Sequence, residues 1–205
     1  MSEAAVAFER SRQFWHNTAR TKGEGYVGRT GESHELQRRR IEDLLRSRIS
    51  ADSFYTDVLD FGCGYGRFIP FWSEICGHVW AVDLLPDMLK RAKGKSKTVT
   101  ALQANWPFRL PMQEPQIDLL WTCFALQHVT DDGIFTETMQ ELRRVLKPQA
   151  RVLMLENAVD HSHHIKPRKP QYLAELLGLQ PGWTSDLVTV NNRPRDHWLL
   201  DGVKA

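Results

Sequence analysis

The run V-L-D-F-G-C-G-Y-G-R at residues 58–67 constrains this chain more than any other feature. Val58, Leu59 and Phe61 flank Asp60 in what reads as a short buried strand. Three glycines, Gly62, Gly64 and Gly66, then stand at alternate positions. Glycine at that spacing permits a sharp turn and lets another group approach the bare backbone. Residues from about Arg67 to Cys76 read as helix, and a second strand, His78–Val82, ends at Asp83, 21 residues after Gly62. In an open parallel sheet, ligands sit just beyond the carboxyl ends of the strands. A carboxylate at the second strand's end can accept from both hydroxyls of a ribose. Loop and acid together point to a ligand that carries a nucleoside.

The alternation continues downstream. Thr98–Gln103, Ile117–Cys123 and Arg151–Leu155 read as strands. Pro86 opens a helix that runs to about Arg91. Asp131 or Asp132 caps another, in which Ile134, Phe135, Met139, Leu142, Val145 and Leu146 recur at helical spacing before Pro148 ends it. Pro170–Leu177 reads as helix. Trp183–Val190 and His197–Val203 then read as a hairpin split by turn residues 191–194. The expected class is α/β: a Rossmann-like, doubly wound, mainly parallel sheet with helices on both faces and an antiparallel strand added by the hairpin. Residues 1–55 are mostly helical in pattern. Phe8 and Trp15 share one face, and Leu36, Ile41, Leu44, Leu45 and Ile49 share another, across a Gly-rich break. They are expected to cap a core of residues 56–205, a single domain overall.

Lys plus Arg number 27 and Asp plus Glu 25, a net charge of +2. So small an excess speaks against a nucleic-acid or membrane-surface partner. The three cysteines, Cys63, Cys76 and Cys123, lack metal-ligand spacing and read as free thiols in a reducing compartment. The N-terminus has charges where a signal peptide needs an apolar run, and no stretch approaches the roughly 20 apolar residues of a membrane span. A cytoplasmic location is expected.

The dinucleotide fingerprint G-x-G-x-x-G would place its third glycine at Arg67, and here that glycine comes one residue early, at Gly66. The motif also begins some sixty residues in, after helices. Both facts weigh against a nicotinamide cofactor, and a phosphate-binding G-x-x-x-x-G-K-[S/T] is absent.

The chain resembles the class I S-adenosylmethionine-dependent methyltransferases, of the small-molecule type that includes ubiquinone/menaquinone methyltransferases. V-L-D-F-G-C-G-Y-G-R-F matches the family's first motif, and A-V-D-L-L-P-D-M-L-K-R-A-K the stretch after the second strand. I-D-L-L-W-T-C-F-A-L-Q-H-V matches the fourth-strand motif, and E-L-R-R-V-L-K-P the helix leading into the fifth strand. The resemblance covers residues 56–156 closely. It implies a seven-stranded sheet with the last strand antiparallel, S-adenosyl-L-methionine as cofactor, S-adenosyl-L-homocysteine as product, and in-line methyl transfer to O or N of a small molecule. It also implies residue roles. Asp60, Gly62 and Gly64, with Cys63 and Gly66 in the same loop, would line the methionine part. Asp83 would bind the ribose, with Leu84 beside the adenine. Asn105 stands where the family usually has Asp for the adenine amino group, and Trp106 would offer its N–H to the ring. Thr122 would face the cofactor's amino group, and Trp15, Tyr26 and Arg29 would form a lid. Lys147-Pro148-Gln149-Ala150 departs from the family's K-P-G-G, at a turn remote from the cofactor.

His128, in L-Q-H-V just past the fourth strand, is the candidate general base; a purely local packing role is the alternative. The segment Asp160-His161-Ser162-His163-His164 reads as a polar loop or part of the substrate pocket, and no metal site is assigned. Lys166, Arg168 and Lys169 read as a solvated basic loop. No [D/N/S]-P-P-[Y/F/W] follows the fourth strand, no cysteine follows a proline, and no length remains for a target-recognition domain. Exclusion therefore favours a small-molecule acceptor. The alternatives are a non-catalytic scaffold of the same fold, a methyltransferase for RNA or protein, and different chemistry on a related cofactor, such as carboxymethyl transfer or aminopropyl transfer, the latter lacking before Asp131 the acids that would hold a polyamine.

Overall fold

The computed structural model describes residues 2–22, 34–160, 164–190 and 196–205. Two helices, α1 (Glu3–Lys22) and α2 (His34–Arg48), precede the sheet. The order is then β1 (Tyr55–Phe61), α3 (Ile69–Ile75), β2 (Cys76–Asp83), α4 (Pro86–Lys93), β3 (Val99–Gln103), β4 (Ile117–Cys123), a single 3₁₀ turn (Leu126–His128), α5 (Asp132–Val145), β5 (Leu146–Asn157), α6 (Pro170–Leu177), β6 (Thr184–Val188) and β7 (His197–Val203). The seven strands lie in the order β3-β2-β1-β4-β5-β7-β6. β1 to β5 pair in parallel, and β7 runs antiparallel to both β5 and β6. The expected Rossmann-like sheet is therefore present, with its last strand reversed. The turn expected at 191–194 lies outside the described residues.

The central strands are apolar on both sides because both faces are covered. On one face, Phe135, Met139 and Leu142 of α5 and Leu173 and Leu177 of α6 pack on Leu59, Leu120, Val152 and Met154. On the other, Ile41 and Leu45 of α2 and Ile69, Phe71 and Trp72 of α3 pack on Val58, Val79, Leu119, Trp121 and Leu153. Leu36 was expected on the buried stripe of α2 but is 44% exposed. It precedes Ile41 by five residues, which turns it about 140° from the Ile41/Leu45/Ile49 face. Arg168 also departs from expectation. Its guanidinium lies 3.5 Å from the centre of the Phe135 ring and pairs with Asp132, as does Lys166. Among the described residues, no helix is long and apolar enough to cross a membrane.

Strand order reverses between β1 and β4, and crossovers leave to opposite sides there, which opens a crevice at their carboxyl ends. Gly66 closes the turn that follows β1. Its φ is +80°, and a Cβ there would stand 2.6 Å from Ile69 Cδ1 and 2.9 Å from Ala92 Cα. Glycine is required so that α3 and α4 can approach the loop. Gly66→Ala is expected to lower stability by about 2 kcal/mol or more, through strain and overpacking together, read as a fall in the urea midpoint. An unchanged midpoint would mean that the loop relaxes freely.

Candidate active site

A cavity of about 360 Å³ occupies the crevice, within the range of small-molecule sites. Its floor is the loop after β1. The backbone N–H groups of Gly62 and Cys63 both donate to Val82 O, at 2.8 and 2.9 Å. Gly64 N–H donates to Asp83 Oδ2 at 2.9 Å, and Leu85 N–H to Asp83 Oδ1 at 3.0 Å. The carboxylate thus clamps the glycine loop to the start of α4 and keeps further lone pairs for a ligand. Gly64 has φ +55°, and the space its Cβ would fill is empty. The backbone is therefore bare toward the cavity.

The second wall follows β4. Phe124 sits in the left-handed region, φ +57°, which is uncommon for a bulky residue and typical of functional sites. This bend brings Ala125 so near Gly62 that a Cβ on Gly62 would lie 2.2 Å from Ala125 Cβ. The 3₁₀ turn then presents His128. Its Nδ1 lies 3.1 Å from His164 O, its ring stacks on His164 with centroids 5.6 Å apart, and the Trp15 ring meets it edge-on at 4.4 Å. The roof is α1, whose Ala7, Phe8, Ser11, Trp15, Thr18 and Ala19 line the cavity at the spacing of one helical face. Phe8 meets Trp106 at 6.3 Å.

Of the residues named from sequence, Trp15, Gly62, Cys63, Gly64, Asp83, Leu84, Trp106 and His128 line this one cavity. Arg29 and Tyr26 lie outside the described residues, as do His161 and His163. Four others lie outside the lining. Gly66 packs between α3 and α4, as above. Asp60 is 2% exposed and sits beneath the loop rather than in the wall, and its Oδ2 is buried without a hydrogen-bond partner. Thr122 is fully buried and donates to Glu156 Oε1 at 3.1 Å. Side chains alternate along a strand, so Thr122 shares the α5 face with Leu120, while Cys123 turns to the cavity. Asn105 is exposed, and its Nδ2 donates to Gln103 O at 3.3 Å. Its neighbours Ala104 and Trp106 take the inward positions.

Sequence reasoning missed three contributors. Arg67 is the only guanidinium or ammonium among the cavity-lining described residues. It donates to Gln37 Oε1 at 2.9 Å and contacts Cys123 Sγ at 3.2 Å. Glu156, 2% exposed, accepts from Thr122 Oγ1 and from the N–H groups of Ala125, Leu126 and Gln127 at 3.1–3.2 Å. It thereby caps the turn that carries His128. Gln127 ties that turn to β5. An acid ending the otherwise apolar run V-L-M-L-E was the available signal, since a buried charge demands partners.

Residues 58–149 match a methyltransferase domain family. A malonyl-[acyl-carrier protein] O-methyltransferase of Pseudescherichia vulneris is 29% identical over 128 residues, covering 62% of this chain and 49% of that protein. A ubiquinone/menaquinone biosynthesis C-methyltransferase of Psychromonas ingrahamii is 29% identical over 155 residues, covering 61% and 60%. The chain spans about half the length of the malonyl-carrier relatives it matches. In structure, it resembles the 1,6-didemethyltoxoflavin-N1-methyltransferase of Burkholderia thailandensis with a TM-score of 0.74 at 17% identity, covering 100% of this chain and 92% of that one. That likeness in fold runs along the full chain.

Burial pushes the Glu156 carboxyl up to about 7, against the pull of its four donors. Its acid form is thus favoured by folding. The resulting stability is fully present below the usual carboxyl value of about 4.5 and is lost as pH rises through about 7. The wild type should lose roughly 1–3 kcal/mol from this group between pH 4.5 and pH 8. Glu156→Gln should show a correspondingly flatter pH dependence in urea unfolding. Equal slopes for the two proteins would place the titration elsewhere.

Proposed function

We propose that this protein is an S-adenosylmethionine-dependent methyltransferase that transfers a methyl group to O or N of a small molecule. The observation that carries the reading is one cavity, at the sheet's switch point, that gathers a bare glycine loop, a strand-end carboxylate, a cation and an imidazole. The buried polar groups fit the cofactor. Asp60 holds an unpartnered oxygen under the loop and lies close enough to Arg67 to be pulled down by its charge. Such a pair of opposite charges suits the amino and carboxyl groups of an amino-acid moiety. Asp83 would take the ribose, and Leu84, Met88, Trp106 and Phe108 would hold the adenine. When bound, the cofactor supplies an electrophilic methyl on a sulfonium, whose C–S bonding pair returns to sulfur on attack.

The chain's own part is to bind, align and exclude water. α1 closes the cavity as a lid, so residues 1–55 act as a cap on a catalytic core of 56–205. His128 is the general base. Ring-bearing walls from Trp15, Phe124, His128, His164 and His197, with Arg67 as the only strong cation among the described lining residues, suit a flat and largely apolar acceptor. Relatives are named for acting on a malonyl carrier protein and on quinone precursors, and the toxoflavin enzyme was solved with its heteroaromatic substrate. Three free thiols support a cytoplasmic setting.

Titration calorimetry with S-adenosylhomocysteine tests the reading. Micromolar binding is expected, weakened about 10- to 100-fold by Asp83→Ala, the loss of charged hydrogen bonds to a ribose. Absence of heat with the wild type would favour a non-catalytic scaffold. Once an acceptor is found, His128→Ala should slow turnover by about 10²–10⁴-fold while cofactor affinity holds. Equal losses in both would return His128 to a packing role.

A further inference from the structure

A base is useful only through a nitrogen that holds a lone pair, and the bonds around His128 decide which nitrogen that is. A backbone carbonyl can only accept, so the 3.1 Å contact between His128 Nδ1 and His164 O requires the proton on Nδ1. Nε2 then carries the lone pair. It lies 3.3 Å from Gln127 Nε2, and an amide nitrogen can only donate.

The Gln127 amide is held in that sense. Its Oε1 accepts from Asn157 N–H at 2.8 Å. Turning the amide over would set NH₂ against an N–H and would face the lone pair of Nε2 with an oxygen. The residue itself cannot drift. Its backbone N–H is bound by Glu156 Oε2 at 3.2 Å and its carbonyl accepts from Lys166 N–H at 2.8 Å. It is 5% exposed. Two strand-end groups, Glu156 and Asn157, thus reach across from β5 to fix both the backbone and the side chain of the residue before the base.

We propose that Gln127 and the His164 carbonyl are positioning groups that hold His128 as its Nδ1–H tautomer, so that Nε2 receives the proton of an acceptor that enters carrying an O–H or N–H bond. This deepens the methyltransferase reading and rests on it. In the closed cavity the acceptor's X–H takes the place of the Gln127 N–H at Nε2. The X–H bond breaks as an electron pair on X forms the new X–C bond to the methyl, the C–S pair would return to the cofactor's sulfur, and the proton stays on His128. The imidazolium then donates from both nitrogens. Its Nε2–H faces the Gln127 donor, which favours release of the proton after transfer. A carboxylic acid acceptor is already ionised near neutrality and needs none of this apparatus. The acceptor class is therefore a phenol, an alcohol or a ring N–H.

Among the described residues, the titratable and charged groups near His128 include His164, stacked on it; Asp131 at the start of α5; Glu156 behind Gln127; and Lys166, whose ammonium is paired with Asp132. None of them lies between Gln127 and Nε2, so a change at Gln127 reports on that contact.

The experiment is a long-range ¹H–¹⁵N spectrum of the histidine-labelled protein with S-adenosylhomocysteine bound, His128 being identified by the signal lost in His128→Gln. The expected result is a neutral Nδ1–H tautomer. An Nε2–H tautomer, or averaging of the two, would overturn the proposal. Gln127→Leu removes the donor and should raise the His128 titration midpoint by about half a unit or more. Gln127→Glu, which can still accept from Asn157, should raise it further. Unmoved midpoints in both variants would remove Gln127 from the role. Calorimetry on the same samples keeps the two readings apart. Binding with the wrong tautomer refutes this inference alone, whereas no binding in the wild type refutes the cofactor reading beneath it.

Discussion

A side chain of one loop can pack directly on the backbone of the next only where that backbone carries no Cβ. Strands lie about 4.8 Å apart, and at the ends of β1 and β4 the chain exploits that limit: Gly62 has no Cβ, and Ala125 fills the place where one would be. Much of the site depends on this contact. It sets the glycine loop against the turn that carries His128, and so brings both into the lining of one cavity. The left-handed backbone of Phe124 belongs to the same constraint, because an extended residue there would carry Ala125 away from Gly62.

Three carboxylates converge at this edge of the sheet, and each resolves its burial differently. Asp83 is answered by two backbone N–H groups. Glu156 is answered by three, with a hydroxyl as a fourth donor. Asp60 keeps one oxygen without a partner, and burial pushes it up to about 7 with only the Arg67 charge opposing. A fold selected for stability alone would have little use for such a group. The first two acids hold loops in place and the third is left for something that arrives. That ordering assigns structural work to Asp83 as well as ligand work, so the loss expected on its removal includes some loosening of the glycine loop.

The parts of this architecture that were legible in the sequence are those whose cause is local. The strand-loop-helix at 58–67 announces itself because glycine spacing and a strand-end acid are chemistry within a few residues. The Asp131 cap of α5 is equally local, its side chain accepting from Ile134 N–H at 2.9 Å. The shared face of Phe8 and Trp15 follows from helical period alone. What was illegible depends on pairing across the sheet. Thr122 and Asn105 were each placed in the right segment and on the wrong side, because a one-residue change of parity reverses a side chain. Glu156, Gln127 and Arg67 act through partners 30 or more residues away, and nothing in their own neighbourhood specifies those partners.

The roof completes the argument by linking the two ends of the cavity. Along α1, Phe8 meets Trp106 at one end of the cavity, and Trp15 meets His128 at the other. The two rings sit seven residues apart, about 10 Å along one helical face. A single rigid helix therefore senses both subsites. The edge of the indole against the imidazole restricts rotation of the ring. On the proposed function, a base assembled this way shares its covering helix with the cofactor pocket. Alignment of the base and closure of the cofactor pocket would then depend on the packing of one surface, the inner face of α1.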